Sequence, residues 1–417
     1  MNIGLIGVGT VGSGVVHIDQ HNRDRLLIAA KKPFRLKRIC DLNFAASPYD
    51  LSGYELTSNW KEITEAEDIG VVVELIGGEE PARSMIESAL RHKKHVVTAN
   101  KLVMAKHGRE LLAIALQNGV HILFEASVGG AIPVIKPLMT TLAPNHILGI
   151  YGIVNGTTNF ILTQMYEKNA PYEDVLKEAQ KLGYAEADPK SDVGGYDSQY
   201  KLAVLASVAF HTHIDYRQIL VEGITGIAAS DMMYGREMDL TIKLLAIARM
   251  GGDGELELRV HPVMLDNHHP LASVNGVFNA VYVVGDSVGD AMFFGRGAGS
   301  IPTASSVWSD ILDLINGTPY LVTNLTSVKV KHTDHIESEY YFRFRVKDKT
   351  GVLADIAGIF AKNNISIKNA VQKGLGDDAE LMIVSHTVTE RAKNKAVEQI
   401  QKLQGVSEIG SVIRVGI

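Results

Sequence analysis

Near the start of the chain, Gly7-Val8-Gly9-Thr10-Val11-Gly12 has the spacing of a phosphate cradle. Gly7 permits a tight turn, Gly9 lets backbone approach a pyrophosphate, and Gly12 allows close helix–strand packing. Amides at the start of the following helix would add partial positive charge toward the phosphates. The setting makes the pattern specific: Asn2 to Ile6 reads as a short buried strand, and an apolar-periodic segment runs on through Ile18. Asp41 ends a second expected strand, where a carboxylate bonds a ribose 2′-hydroxyl and repels a 2′-phosphate. NAD is therefore the expected cofactor. Asp41 lies farther from Gly12 than the usual spacing of about 20 residues, which a longer first helix explains. Lys37 and Arg38 lie close enough to leave dual use with NADP open.

A bound nicotinamide implies hydride transfer, which puts negative charge on a carbonyl oxygen that a cation or acid must meet. Lysine suits this task because burial and neighbouring charge bring its pKa toward neutrality. Two lysines qualify. Lys101 follows an expected strand at its carboxyl end, and Lys201 lies four residues after Asp197, on the same side of one helix. In isolation, Asp197-xxx-Lys201 reads as an exposed intrahelical ion pair. The single cysteine, Cys40, sits in an apolar-alternating stretch and reads as a buried strand residue, which excludes acyl-thioester chemistry. His211-Thr212-His213 and His268-His269 lack metal-ligand spacing and read as satisfied or exposed histidines.

These residues need a scaffold. Strands are expected at Asn2 to Ile6, Arg35 to Cys40, Val71 to Ile76, His95 to Thr98 and His121 to Glu125, with helices at Ala82 to Arg91 and Gly108 to Asn118 between them. Alternation at this spacing predicts a Rossmann-type doubly wound parallel sheet, with ligands beyond the carboxyl ends of the strands. Gly77-Gly78, Asn100-Lys101 and Ser127 to Gly130 fall at those ends. From Pro133 to His261 the pattern is mixed, with helices at Ala170 to Leu182 and Asp197 to Phe210. Strands and turns are expected over Pro270 to Ser306, then a helix from Ser305 to Leu314 returning to the first domain. Ser327 to Glu339 is polar and poorly periodic. Beyond it, Tyr341, Arg343 and Arg345 are expected outward and Phe342, Phe344 and Val346 inward. The order βαββαβ that follows is a ferredoxin-like module.

At 417 residues the chain exceeds one ordinary core. A net charge of −6 gives no basic footprint for nucleic acid or anionic membrane, and neither is an expected partner. Apolar runs are short, and MNIGLIGVGT lacks the basic region and long apolar stretch of a signal peptide. With one cysteine there is no internal disulfide, which suits a cytoplasmic location.

Seven runs sharpen the reading: VVVELIGG (71–78), TANK (98–101), FEASVGGAIP (124–133), NGTTNF (155–160), GYAEADP (183–189), GGYDSQYK (194–201) and GDAMFFGRGAGSIPTASSV (289–307). In this order they resemble the homoserine dehydrogenases, over about residues 1 to 320. The tail is similar to the ACT domains attached to many members of that family. The resemblance implies reversible, NAD(P)H-dependent reduction of aspartate 4-semialdehyde to homoserine, with Asp197 and Lys201 acting together and Lys101 polarising the oxygen. It implies that Glu186, helped by Tyr184, holds the substrate ammonium and that amides at Gly156 and Thr157 take the carboxylate. Asp188-Pro189 and Asp192 read as turn and capping residues. Carbonyls of Glu125, Val128, Gly130 and Ile132 match positions that ring a monovalent cation, usually sodium, in relatives. Gly77 and Asn100 join the glycine loop as cofactor contacts.

Four segments follow from this reading. Residues 1–130 with 300–322 form a dinucleotide-binding domain, 131–299 an α+β catalytic and dimerisation domain, 323–339 a linker, and 340–417 a regulatory ACT domain. Asp348, Gly351, Val352 and Leu353 match the effector turn of ACT domains, with Asn369 and Gln372 as polar partners and threonine as the expected effector. A β-rich segment near 263–299 would pair subunits in a homo-oligomer. A tail on a polar linker predicts that deletion after about residue 337 leaves an active core.

Overall fold

A computed structural model describes residues 1–322, 327–374 and 379–417. The chain forms two compact units. One comprises Met1–Val154, Gln199–Gln218 and Phe278–Val328, the other Asn155–Ser198, Ile219–Val277 and Lys329–Ile417.

Short runs of Val, Ile and Leu open the first unit as strands β1 (Asn2–Ile6), β2 (Arg35–Cys40), β3 (Glu55–Thr57), β4 (Val71–Glu74), β5 (His95–Thr98) and β6 (Ile122–Leu123). They pair in parallel in the order β3-β2-β1-β4-β5-β6. This is the doubly wound order, in which the crevice beyond β1 and β4 receives the ligand. The longer helices that connect them are α1 (Thr10–His21), α2 (Ala82–Arg91) and α3 (Lys101–Gln117), with short ones at Arg23–Ala29 and Lys61–Thr64. Helix α3 starts seven residues before the expected Gly108, because the Asn100 side chain accepts from Val103 N at 3.1 Å and caps it there. Strand β7 (Ile147–Ile153) follows.

In the second unit, Asn155 caps helix α4 (Gly156–Lys168) by accepting from Thr158 N. Helix α5 (Tyr172–Lys181) comes next; α6 (Tyr196–Ala209) begins in this unit and belongs to the first from Gln199 on. Strand β8 (Leu220–Val221) runs parallel to β10 (Leu256–Asp266), helix α7 (Ala229–Glu237) intervenes, and β9 (Leu240–Met250) forms a long antiparallel hairpin with β10.

The chain then returns to the first unit. Strands β11 (Phe278–Gly285) and β12 (Gly289–Arg296) extend antiparallel from β7 in the order β12-β11-β7. Helix α8 (Ser300–Asn316) packs on α1 as the sequence predicts: Trp308 Nε1 donates to Val15 O at 3.0 Å. A Cβ at Gly14 would stand 2.5 Å from the Ser300 carbonyl oxygen, so only glycine admits this approach.

In the tail of the second unit lie β13 (Glu337–Val346), α9 (Val352–Lys362), β14 (Ile367–Lys373), β15 (Ala379–Ser385), α10 (Glu390–Ile400) and β16 (Val406–Val415). Their sheet order is β16-β13-β15-β14, the expected ferredoxin-like βαββαβ arrangement. Phe342, Phe344, Ile356, Phe360 and Ile383 fill its core.

Two expectations about the tail are corrected. Tyr341 and Arg343 do not face solvent; both are buried, because helix α7 supplies the buried Asp231 that they contact. Nor does the tail stand apart, since β16 pairs with β10 through Val263 and Arg414 and through Met264 and Val415. Within the segment read as a linker, residues 323–326 lie outside the described residues. Lys329 O and Lys331 N bond the backbone of Leu256 at 2.8 and 2.9 Å.

Candidate active site

In the first unit, the chain leaves β1 through Gly7 at φ +98°. A Cβ at Gly12 would stand 1.9 Å from the Gly7 carbonyl oxygen, whereas one at Gly9 would meet nothing within 4 Å. Gly12 thus seats helix against turn, and Gly9 leaves the loop open to a ligand. Val8 N donates to Asp41 Oδ2 at 2.7 Å, and Asn43 N donates to Oδ1 at 2.8 Å. Asp41 therefore ties the end of β2 to the loop, a second task that its position alone did not reveal. Thr10 and Val11 form the first turn of α1. A cleft of about 590 Å³ opens here, lined by Gly7, Gly9, Asp41, Trp60, Ile76 and Met85 among others. Its size and glycine floor fit a dinucleotide. Cys40 also lines it; burial first, then the Asp41 charge, pushes its thiol up to about 11, which keeps it un-ionised.

At the carboxyl ends of β4 and β5, the buried Glu74 accepts from Thr98 Oγ1 (2.7 Å) and Ile76 N (2.9 Å). Burial pushes its carboxyl above the ordinary range, and these bonds oppose that rise. Asn100 Nδ2 donates to Gly78 O at 2.8 Å. This network fixes the Gly77-Gly78 turn (φ +73° and +75°) beside Lys101, the first residue of α3. Glu74 was not singled out from sequence, although an acid ending an otherwise all-valine strand was the available signal.

Glu125, Val128 and Ile132 are buried around the turn at Gly129 and Gly130 (φ +73° and +56°). The Glu125 carboxylate accepts from Val134, Ile135 and Lys136 N at 2.6–2.9 Å, and the Gly130 carbonyl accepts from Ser306 Oγ at 2.7 Å. Asp310 accepts from Glu125 N through Oδ2 (2.9 Å), while its buried Oδ1 has no hydrogen-bond partner among the described residues. Burial, then the Glu125 charge, pushes the Asp310 carboxyl well up. Also in the first unit, Lys201 Nζ donates to Val154 O at 2.7 Å.

The second unit brings together residues that the sequence kept apart. Asn155 Nδ2 donates to Asp192 Oδ1 (2.7 Å) and to Asp197 Oδ2 (2.9 Å). Sequence reasoning missed Asn155; its signal was a cap residue opening NGTTNF. Asp192 was read as a turn residue and is also a partner of this amide. Asp197 lies one turn before Lys201 on α6. Gly156 and Thr157 open α4, whose N-terminal amides suit a carboxylate. Thr157 Oγ1 donates to Tyr184 O at 2.5 Å, and the Tyr184 ring lies 5.0 Å from that of Phe160. The side chain of Glu186 is exposed, and its carbonyl accepts from Gln180.

In the tail, Gly351 (φ +99°) precedes α9, and Gln372 Nε2 donates to Asp348 Oδ1 at 2.9 Å. Leu353 and Asn369 are exposed, and Val352 is half-buried. Among the described residues, no group of three or more His, Cys, Asp or Glu side chains is placed to hold a metal ion, and no helix is long and apolar enough to cross a membrane.

Known proteins match along the whole chain. The family model for the NAD-binding domain of homoserine dehydrogenase matches residues 7–125, that for homoserine dehydrogenase 133–312, and that for the ACT domain 340–405. A homoserine dehydrogenase of Synechocystis sp. is 44% identical, covering 100% of this chain and 99% of its own length. The crystal structure of a homoserine dehydrogenase from Thiobacillus denitrificans superposes with a TM-score of 0.95 at 39% identity, covering 100% of this chain and 98% of that one. A hyperthermophilic archaeal homoserine dehydrogenase mutant in complex with NADPH has a TM-score of 0.65 at 28% identity, covering 77% of this chain and 99% of its own.

Proposed function

This chain belongs to the homoserine dehydrogenase family, and we propose that Lys201, tuned by Asp197, handles the proton at the substrate oxygen. The enzyme is a nicotinamide-dependent oxidoreductase that interconverts aspartate 4-semialdehyde and homoserine, with a C-terminal ACT domain. The observation that carries the proposal is the Asn155 amide joining Asp192 to Asp197, one helical turn before Lys201.

When bound, the nicotinamide supplies or accepts the hydride. Gly7 to Gly12, Gly77 and Asn100 would hold the cofactor, and the Asp41 carboxylate favours NAD by opposing a 2′-phosphate. The Lys201 ammonium donates a proton to the oxygen that becomes the homoserine hydroxyl and is left as the neutral amine, and in the reverse direction that amine receives the hydroxyl proton. Lys101 adds positive charge to the same oxygen. Glu186 and Tyr184 anchor the α-ammonium, and the first amides of α4 at Gly156 and Thr157 take the α-carboxylate. A monovalent cation, sodium being the best match, sits on the carbonyls of Glu125, Val128, Gly130 and Ile132. The buried Asp310 Oδ1, without a hydrogen-bond partner among the described residues, supports it.

In this reading residues 1–130 with 300–322 bind the dinucleotide, 131–299 hold substrate and pair subunits, 323–339 join, and 340–417 sense an end-product amino acid. Exposed Met292 and Phe294 on β12 support a subunit contact there. The Asp348–Gln372 bond beside Gly351 supports an effector site at Asp348 to Leu353, with threonine the first ligand to try. A cytoplasmic homo-oligomer fits all of this. The test is Glu186→Gln in steady-state assays with semialdehyde. KM should rise more than kcat falls, and the opposite order removes Glu186 from ammonium binding.

A further inference from the structure

The turn that leads to Asp197 is held by backbone. Ile224 N donates to Val193 O at 2.8 Å, and Glu222 N donates to Val260 O at 2.8 Å. A Cβ on Gly223 would stand 2.2 Å from the Val193 carbonyl oxygen and 2.8 Å from Gly194 Cα. Gly195, at φ +83°, would bring a Cβ within 3.1 Å of Val221 Cγ1 and 3.4 Å of Glu222 O. Two glycines, Gly195 and Gly223, thus let Val193–Gly195 and Val221–Ile224 lie directly against each other. The contact is backbone on backbone at Gly223 and backbone on the stiff, β-branched Val221 side chain at Gly195, so displacement of one segment passes to the other.

Glu222 is held in turn from the tail. Arg414 Nη1 and Nη2 donate to its two carboxylate oxygens at 2.7 and 2.9 Å, a bidentate clamp. Arg414 Nε donates to Glu390 Oε1 at 2.6 Å, in the first turn of α10, and Tyr340 Oη donates to the same oxygen at 2.7 Å. Arg414 is 2% exposed and stands where β16 pairs with β10. Burial opposes its charge, but Glu222 and Glu390 more than offset this and hold the guanidinium firmly protonated.

We propose that Arg414 is a positioning residue for the reaction: by clamping Glu222 it fixes the Val193–Gly195 turn, and with it the Asp192 and Asp197 carboxylates that share the Asn155 amide. The inference rests on Asp197 acting in the chemistry, as proposed above. It gives the ACT domain a part in every turnover, whether or not an effector is bound.

The test uses the full-length enzyme with four substitutions: Arg414→Lys, Glu222→Gln, Asp231→Asn and Asp197→Asn. Lysine keeps the charge opposite Glu222 and Glu390 but cannot form two parallel bonds. Arg414→Lys and Glu222→Gln are each expected to lower kcat about 10- to 100-fold and to displace the pH profile of kcat, with the KM for NADH unchanged. Asp231→Asn, which disturbs a different junction with the tail, should lower Tm and leave that profile in place. Glu222 is partly exposed, so its glutamine variant reports even if Arg414→Lys fails to fold. Wild-type kcat and pH profile in Glu222→Gln overturn the inference, as does an Asp231→Asn enzyme with the same kcat loss and displaced profile. If Asp197→Asn itself keeps wild-type kcat, the catalytic reading fails first; if it does not, the inference stands or falls on Glu222 and Arg414 alone.

Discussion

Replacing Arg343 by methionine tests how the tail is joined to the rest of its unit. Asp231 on α7 is fully buried. Its carboxylate accepts from Arg343 Nε (2.7 Å), Tyr341 Oη (3.2 Å), Ser411 Oγ (2.5 Å) and Ala228 N (2.8 Å). Only Arg343 brings opposite charge among these four. Removing one partner of a buried ion pair costs about 3–5 kcal/mol, because the remaining charge stays desolvated. In a unit of roughly two hundred residues, each kcal/mol moves the midpoint by about 2–4 °C, so Arg343→Met should lower Tm by about 6–20 °C. Adding Asp231→Asn should recover more than half of that loss, since no charge is then left buried alone. The assay is thermal unfolding at pH 7 without ligands, with wild type, both single variants and the double variant in one cycle. A single variant melting within about 3 °C of wild type would refute the reasoning, as would a double variant less stable than Arg343→Met.

The same junction makes a truncation informative. Deleting residues from Glu337 onward strips Asp231 of Arg343, Tyr341 and Ser411, and Glu222 of Arg414, so the product should be insoluble or inactive; a soluble, fully active fragment would show that the tail is dispensable. Asp41→Asn keeps an acceptor for Val8 N while removing the charge, so the ratio of kcat/KM for NADPH over NADH should rise about tenfold or more. An unchanged ratio would make Asp41 a loop brace only. Lys243, buried on β9, donates to Val274 O and Asn275 Oδ1, and burial depresses its pKa from 10.5 to about 8. The unfolded chain then binds more protons than the folded one between those values, so stability rises with pH across that window. Relative to Lys243→Met, the wild type should gain about 2 kcal/mol from pH 8 to pH 10 in denaturant titrations. Parallel curves for the two proteins would contradict this.

The parts of the molecule legible in the sequence are those where one residue type is demanded locally. Gly7, Gly9 and Gly12 announce the cofactor loop because each answers a separate steric need, and the parallel strands announce themselves as short apolar runs. Helix α4 did not, because nearly every side chain from Thr157 to Met165 is buried and no polar face marks the period. Strand β10 misleads in the opposite sense. Glu257, Arg259 and His261 alternate with apolar residues as on a half-exposed strand, yet all three are buried. Arg249 pairs with Glu257, and Ser338 accepts from Arg259. Pairs such as Asp231 with Arg343, or Glu222 with Arg414, join residues more than a hundred positions apart, so local pattern cannot show them. Asn155 was not singled out in the sequence, and only the fold brings it to two acids.

The central claim is that Lys201 does the proton work. Its ammonium is oriented by the Val154 carbonyl at 2.7 Å, and its helix partner Asp197 is held by Asn155. The most direct measurement is kcat of Lys201→Ala with aspartate semialdehyde at saturating NADH, beside the NADH dissociation constant from cofactor fluorescence. A positioned acid is worth about 10²–10⁴ in rate, so kcat should fall by at least two orders of magnitude while NADH affinity holds. A variant that keeps kcat within about tenfold of wild type would contradict the assignment.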